Sequence, residues 1–161
     1  MTVVGARIDN RLLHGIVATS WLPQSGATRV MVIDDKVAND PQMKEAMKLG
    51  RPSGLAVSII TKEKALNNFK NNKYDRQKVF ILSKTPDIFL DLINEGVDIP
   101  KLVLGGTMTY DNAKKITNRA YVKNKEISIY KRIRDAGIPV VSMYTTNDDE
   151  VNVMNFLNEG V

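Results

Sequence analysis

The sequence predicts a three-layer α/β fold: a parallel sheet covered by helices. Three observations carry this expectation. Short β-branched apolar runs recur along the chain, segments with helical apolar spacing alternate with them, and capping or breaking residues mark where the helices begin and stop.

The first run is "TVVGARI" (2–8), followed by Leu13, Val17 and Trp21 at four-residue spacing, with Ile16 beside them. "TRVMVID" (28–34) comes next, and Asp40-Pro41 then opens a stripe of Met43, Ala46 and Met47 that Gly50 should close. "LAVSII" (55–60) precedes Ala65, Leu66 and Phe69; "KVFILS" (78–83) precedes Ile88, Phe89, Leu92 and Ile93. Thr85-Pro86 should cap that last helix and Gly96 end it. After "KLVLG" (101–105) the rhythm breaks: 106–124 reads as an irregular loop with a short extra strand near "RAYV". Ile127, Tyr130, Ile133 and Ala136 form the next stripe, ended by Gly137, before "PVVSMY" (139–144). Asn147 and Glu150 have the spacing of a capping box for a final helix carrying Val151, Met154 and Leu157. Most apolar runs are continuous rather than alternating, as in strands buried on both faces.

The 161 residues suit one domain, 1–161. With no cysteine and one histidine, disulfides, thiolate nucleophiles and multi-histidine zinc sites are excluded. No stretch is apolar for long enough to be a signal peptide or a membrane span, so the expected location is the cytoplasm. The net charge of +5 would suit acidic or phosphorylated partners, but the basic residues are dispersed.

Ligands of parallel sheets bind beyond the carboxyl ends of the strands. Those loops hold Asp9-Asn-Arg-Leu-Leu-His14-Gly15 after the first strand, Asp34-Asp35 after the second, Ser83-Lys84-Thr85 after the fourth and Gly105-Gly106-Thr107 after the fifth. The first loop is the strongest candidate. A neutral imidazole at His14 can attack phosphorus or carry a proton. Arg11 and Arg7 offer planar forks that match a phosphoryl group, Gly15 lets a ligand approach the backbone, and the following helix presents unpaired N–H groups. Asp9 could fix the loop by bonding an arginine or an amide. The spacing fits equally a partly buried histidine satisfied at a helix start. Ser83, Lys84 and Thr85 are weaker phosphate-binding candidates, and the glycine pair reads as a turn or a phosphate cradle.

The stretch "RIDNRLLHGIV" (7–17) resembles R-x-D-x-R-L-x-H-G-Q-V, the signature of IIB components of the mannose/sorbose family of the bacterial sugar phosphotransferase system. "VIDDKVANDP" (32–41), "RPSGLAV" (51–57) and "KLVLGGTM" (101–108) extend the similarity over nearly the whole chain. The resemblance implies an open, twisted, mainly parallel sheet of about seven strands with helices on both faces. It implies a phosphoryl group carried on Nδ1 of His14, taken from a phosphorylated IIA component and given to a sugar held by membrane IIC and IID components. Arg11 and Asp9 are the matching phosphate-site positions, with Arg7 beside them. Neither a cofactor nor a metal is expected, and membrane association would come only through the partners. One departure is Ile16, which stands where the family signature has glutamine.

Two other readings remain on the sequence. "VMVIDDK" resembles the opening of a response-regulator receiver, but no acceptor aspartate follows the third run, which ends Ile59-Ile60-Thr61. "YKRIRDAG" could belong to a nucleic-acid-binding face, yet its charges fit the solvated side of a helix; no nucleic-acid partner is expected.

Overall fold

The computed structural model describes residues 1–157. A sheet of seven strands forms its centre: β1 (Thr2–Asp9), β2 (Arg29–Ile33), β3 (Ala56–Ile60), β4 (Lys78–Ser83), β5 (Leu102–Gly106), β8 (Val140–Ser142) and β9 (Val151–Asn152). Their order is β3-β2-β4-β1-β5-β8-β9, and every pair is parallel except β8 with β9. The inner strands are buried on both faces because successive apolar side chains serve different layers. Met31, Ile33, Val79 and Ile81 join one core. Val30, Val32, Phe80 and Leu82 join the other.

The first core is covered by α4 (Lys62–Lys70), α5 (Asp87–Asn94) and α6 (Ile127–Asp135), through residues such as Phe69, Phe89 and Ile133. The second is covered by the helix 15–25, whose last turn is α1 (Leu22–Ser25), and by α2 (Asp35–Ala38) and α3 (Pro41–Lys48). The chain therefore leaves β1 toward one face of the sheet, whereas it leaves neighbouring β4 toward the other. Such a divergence at the carboxyl end of β1 marks the usual ligand position in sheets of this kind. The three-layer, mainly parallel architecture is the one expected.

The seventh strand is not the expected one. The segment near "RAYV" forms β7 (Ala120–Val122), which pairs only with β6 (Lys114–Thr117) in a separate two-stranded sheet. The main sheet is completed by β9, where the periodicity predicts a helix: Val151 and Asn152 pair with β8, and a 3₁₀ turn (Val153–Phe156) follows. Val153, Met154 and Leu157 still reach the core. The expected Asn147/Glu150 capping box does not form. Asp148 instead accepts from the amides of Tyr144 and Thr145, and Glu150 pairs with Lys101.

At α3 the Asp40 cap forms, its Oδ1 accepting from the amides of Gln42 and Met43, and proline occupies the first turn. No residue of α3 is buried, however; Met43 and Ala46 face solvent and only Met47 packs against the core. At α5 the N-cap is Pro86, and Thr85 donates to the Asp87 carboxylate rather than capping an amide. Gly96 and Gly137 adopt the left-handed conformation that ends a helix, with φ of 87° and 90°; Gly50 does not.

Candidate functional site

The loop that leaves β1 is held down by two leucines. Leu12 and Leu13 are buried in the second core beside Val17 and Val32. Leu12 reaches that core with φ 58°, a conformation that costs a non-glycine residue about 1 kcal/mol. The Asn10 amide donates to Gly106 O at 2.9 Å, tying the loop to β5. With the leucines turned inward, Arg11 is left exposed, and no partner holds its guanidinium among the described residues.

Asp9 is the hub. Its side chain is 1% exposed, and its oxygens accept three hydrogen bonds. Oδ1 takes the Arg11 amide at 2.9 Å; Oδ2 takes Arg7 Nε at 3.1 Å and lies 2.8 Å from His14 Nε2. Burial alone would raise this carboxyl's pKa. The bonds from His14 and the Arg11 amide, with the charge of Arg7, outweigh burial and hold it below the usual carboxylate range. An ionised carboxylate only accepts, so the proton between Asp9 and His14 belongs to Nε2. In the neutral ring that leaves Nδ1 with the lone pair. The His14 side chain is 8% exposed, so the ring is packed and held in one orientation by Asp9.

Arg7 was expected as a phosphate ligand; the fold places it elsewhere. Its side chain is 0% exposed and already engaged. Besides Asp9, it donates to Met143 O at 2.9 Å and Tyr144 O at 3.1 Å, with its Cζ 4.7 Å from the Trp21 ring centroid. A buried guanidinium with these partners offers no surface to an incoming anion. It supplies the counter-charge beneath Asp9 instead. Burial lowers its pKa, and the adjacent carboxylate works in the opposite direction.

Gly15 starts the helix 15–25, and among the described residues no side chain caps its first amides. A Cβ at Gly15 would meet nothing within 4 Å, so the space beside Gly15 is open. A π turn (Val17–Trp21) within this helix brings Trp21 round so that its indole N–H donates to Tyr144 O at 3.0 Å. Ile16 packs against the second core.

Among the described residues, Ser83, Lys84 and Thr85 make their hydrogen bonds and ion pairs with partners other than His14. Ser83 is buried beside Ile8 in the sheet and accepts from the Thr85 amide, Lys84 lies 3.9 Å from Asp34, and Thr85 bonds Asp87. Asp34 and Asp35, the receiver-like pair, are spent on the amides of Val37 and Lys62. Arg132 and Arg134 of "YKRIRDAG" lie on the exposed side of α6, opposite buried Tyr130 and Ile133.

The role of Gly105 was missed. A Cβ there would stand 2.2 Å from Arg7 Cζ, so this glycine is the space in which the guanidinium lies. Neither a turn nor a phosphate cradle explains it. It is part of β5. Tyr144, whose carbonyl receives both Arg7 and Trp21, was also missed. The unpaired indole N–H of a half-buried tryptophan was the one available hint of such an acceptor.

The family described as "PTS system sorbose subfamily IIB component" matches residues 3–160. The N-acetylgalactosamine-specific phosphotransferase enzyme IIB component 2 of Escherichia coli (strain K12) is 32% identical over 156 residues, covering 96% of this chain and 98% of that protein. The mannose-specific EIIAB component of the same strain is 28% identical over 158 residues, which are 98% of this chain but 49% of that protein. The crystal structure of the IIBSor domain of the sorbose permease from Klebsiella pneumoniae superposes with a TM-score of 0.91 at 28% identity, covering 100% and 99% of the two chains. The chain belongs to the sorbose-subfamily IIB components of the sugar phosphotransferase system.

Proposed function

We propose that this IIB component carries its phosphoryl group on Nδ1 of His14. One observation bears most of the weight: Nε2 is committed to Asp9 at 2.8 Å, so the neutral ring has its lone pair on the other nitrogen. Two in-line displacements follow. Nδ1 attacks the phosphorus of a phosphohistidine on a IIA component; the new N–P bond forms as the donor's N–P bond breaks and its imidazole leaves. The positive charge this places on the His14 ring is stabilised through Nε2–H by the Asp9 carboxylate. A sugar hydroxyl then attacks the same phosphorus: its O–P bond forms as the Nδ1–P bond breaks, its proton passes to water, and the electron pair returns to Nδ1, leaving His14 in its starting tautomer.

Phosphoryl transfer depends mainly on positioning and electrostatics. Arg11 brings a free guanidinium, and the helix start at Gly15 and Ile16 brings amides to the equatorial oxygens. Arg7 acts one step back by holding Asp9 ionised. Ser83, Lys84 and Thr85 stand in the adjacent loop and would act only as a flanking field.

The donor is a IIA component, a reading supported by the combined EIIAB name of the mannose-specific relative. The acceptor sugar is held by membrane IIC and IID components. Among the described residues no helix is long and apolar enough to cross a membrane, which fits a cytoplasmic chain that meets the bilayer through those partners. Incubation with a phosphorylated IIA component, followed by mass-spectrometric mapping, should place one acid-labile phosphate on the peptide containing His14. His14→Ala should fold and accept none. Labelling retained in that variant contradicts the proposal.

A further inference from the structure

A second basic site lies at the far edge of the sheet. β3 is an edge strand, paired only with β2 among the described residues. Beside it is a cleft of about 170 Å³, lined by Lys44 and Lys48 from α3, Lys64 and Asn68 from α4, and Ser58, Lys73 and Tyr74. Each helix presents an i, i+4 pair to this space, so the two solvated faces converge instead of diverging. Among the described residues no carboxylate lines it. Of the four lysines only Lys48 has an acidic partner among the described residues, Glu45 at 3.3 Å.

The floor is set up to donate. Ser58 Oγ accepts from Arg29 Nη1 at 2.7 Å, which leaves the hydroxyl proton to be given away. The hydroxyl of Tyr74, a residue 3% exposed, accepts from Asn68 Nδ2 at 2.8 Å and is left with its proton in the same way. Arg29 adds a fixed positive charge behind both, bonded to Gln77 Oε1 at 2.6 Å and 5.5 Å from the Tyr74 ring centroid. Four ammonium groups around two donor hydroxyls repel one another without an anion, and they match the charge and the acceptor lone pairs of a phosphate.

We infer that this cleft binds a phosphate-bearing small anion, at a site separate from the His14 loop. The shared chemistry is a phosphate dianion, free or as a monoester. The test is an amide NMR titration of the ¹⁵N-labelled full chain at constant ionic strength, with inorganic phosphate, pyrophosphate and a sugar phosphate as three arms; the tightest arm identifies the source. Saturable shifts are expected at Ser58, Asn68 and Tyr74. The Lys44→Gln/Lys64→Gln double variant, whose changes are at a half-buried and an exposed helix position outside the core, should weaken binding about tenfold. Equal shifts with sodium chloride, shifts confined to residues 9–15, or an unchanged affinity in the double variant would overturn the inference. So would tighter binding of poly-glutamate than of any phosphate compound, which would make the cleft a docking surface for an acidic protein.

Discussion

Replacing Asp9 with asparagine keeps the side chain's shape and removes what the structure says it supplies. Asp9 faces three donors: the Arg11 amide at 2.9 Å, Arg7 Nε at 3.1 Å and His14 Nε2 at 2.8 Å. An amide has one oxygen. If that oxygen meets Arg7 and His14, the NH₂ group meets the Arg11 amide, donor against donor. If it meets Arg11, the NH₂ group confronts Arg7 and His14. His14 then relieves the conflict by moving its proton to Nδ1, where the lone pair is needed. Arg7, 0% exposed, loses its counter-ion in either arrangement. Removing one partner of a buried pair costs about 3–5 kcal/mol, which for a chain of this size lowers the melting temperature by about 6–20 °C. A carboxylate-to-amide change that leaves an imidazole in the wrong tautomer can cost about 10⁴ in rate, so phosphate uptake should fall by about 10²–10⁴. The assay is the initial rate of labelling from a phosphorylated IIA donor, followed by intact mass spectrometry well below the variant's own melting temperature. Unchanged melting together with unchanged uptake would refute the role of Asp9 as the group that orients His14 and neutralises Arg7.

Gly105→Ala puts a methyl group 2.2 Å from Arg7 Cζ; overpacking of this kind costs about 1–3 kcal/mol, and both the melting temperature and the uptake rate should drop without any change in site chemistry. Arg11→Ala removes an exposed side chain, so stability should stay within about 0.5 kcal/mol, while loss of a charge-assisted bond worth about 1.5–3 kcal/mol should slow uptake roughly tenfold to a hundredfold. Equal loss of stability and rate in Arg11→Ala would show a structural role instead. The folded Asp9 carboxyl lies below its ordinary range. Its contribution to stability is therefore complete above the unfolded value of about 3.9 and lost as pH falls through the lower folded value. Chemical denaturation between pH 5 and pH 2 should show a steeper loss of stability for the wild type than for Asp9→Asn.

The sheet was legible because its inner strands are buried on both faces, which leaves continuous runs such as "KVFILS" that few other structures tolerate. The carboxyl-terminal segment was misread because Val151, Met154 and Leu157, three residues apart, satisfy a helix. They equally satisfy a short strand followed by a 3₁₀ turn, and burial is the same either way. The surface position of α3 was hidden for a related reason: periodicity reports an apolar stripe without saying whether a layer covers it. At the candidate site, His14, Asp9 and Arg11 could be found because they sit in one loop. Arg7's burial could not, since it depends on space at Gly105 and carbonyls at Met143 and Tyr144, all distant in sequence. Ser83, Lys84 and Thr85 were grouped with the site by their place at a strand end. Their bonds to each other and to Asp34 and Asp87 came only with the folded chain.

The most direct test of the account is the regiochemistry of the phosphorylated imidazole, read from ¹⁵N and ³¹P NMR of the protein after uptake from its donor. Phosphorus bonded to Nδ1 of His14, with Nε2 still protonated against Asp9, is the predicted result. Phosphorus on Nε2, or on another side chain, contradicts it.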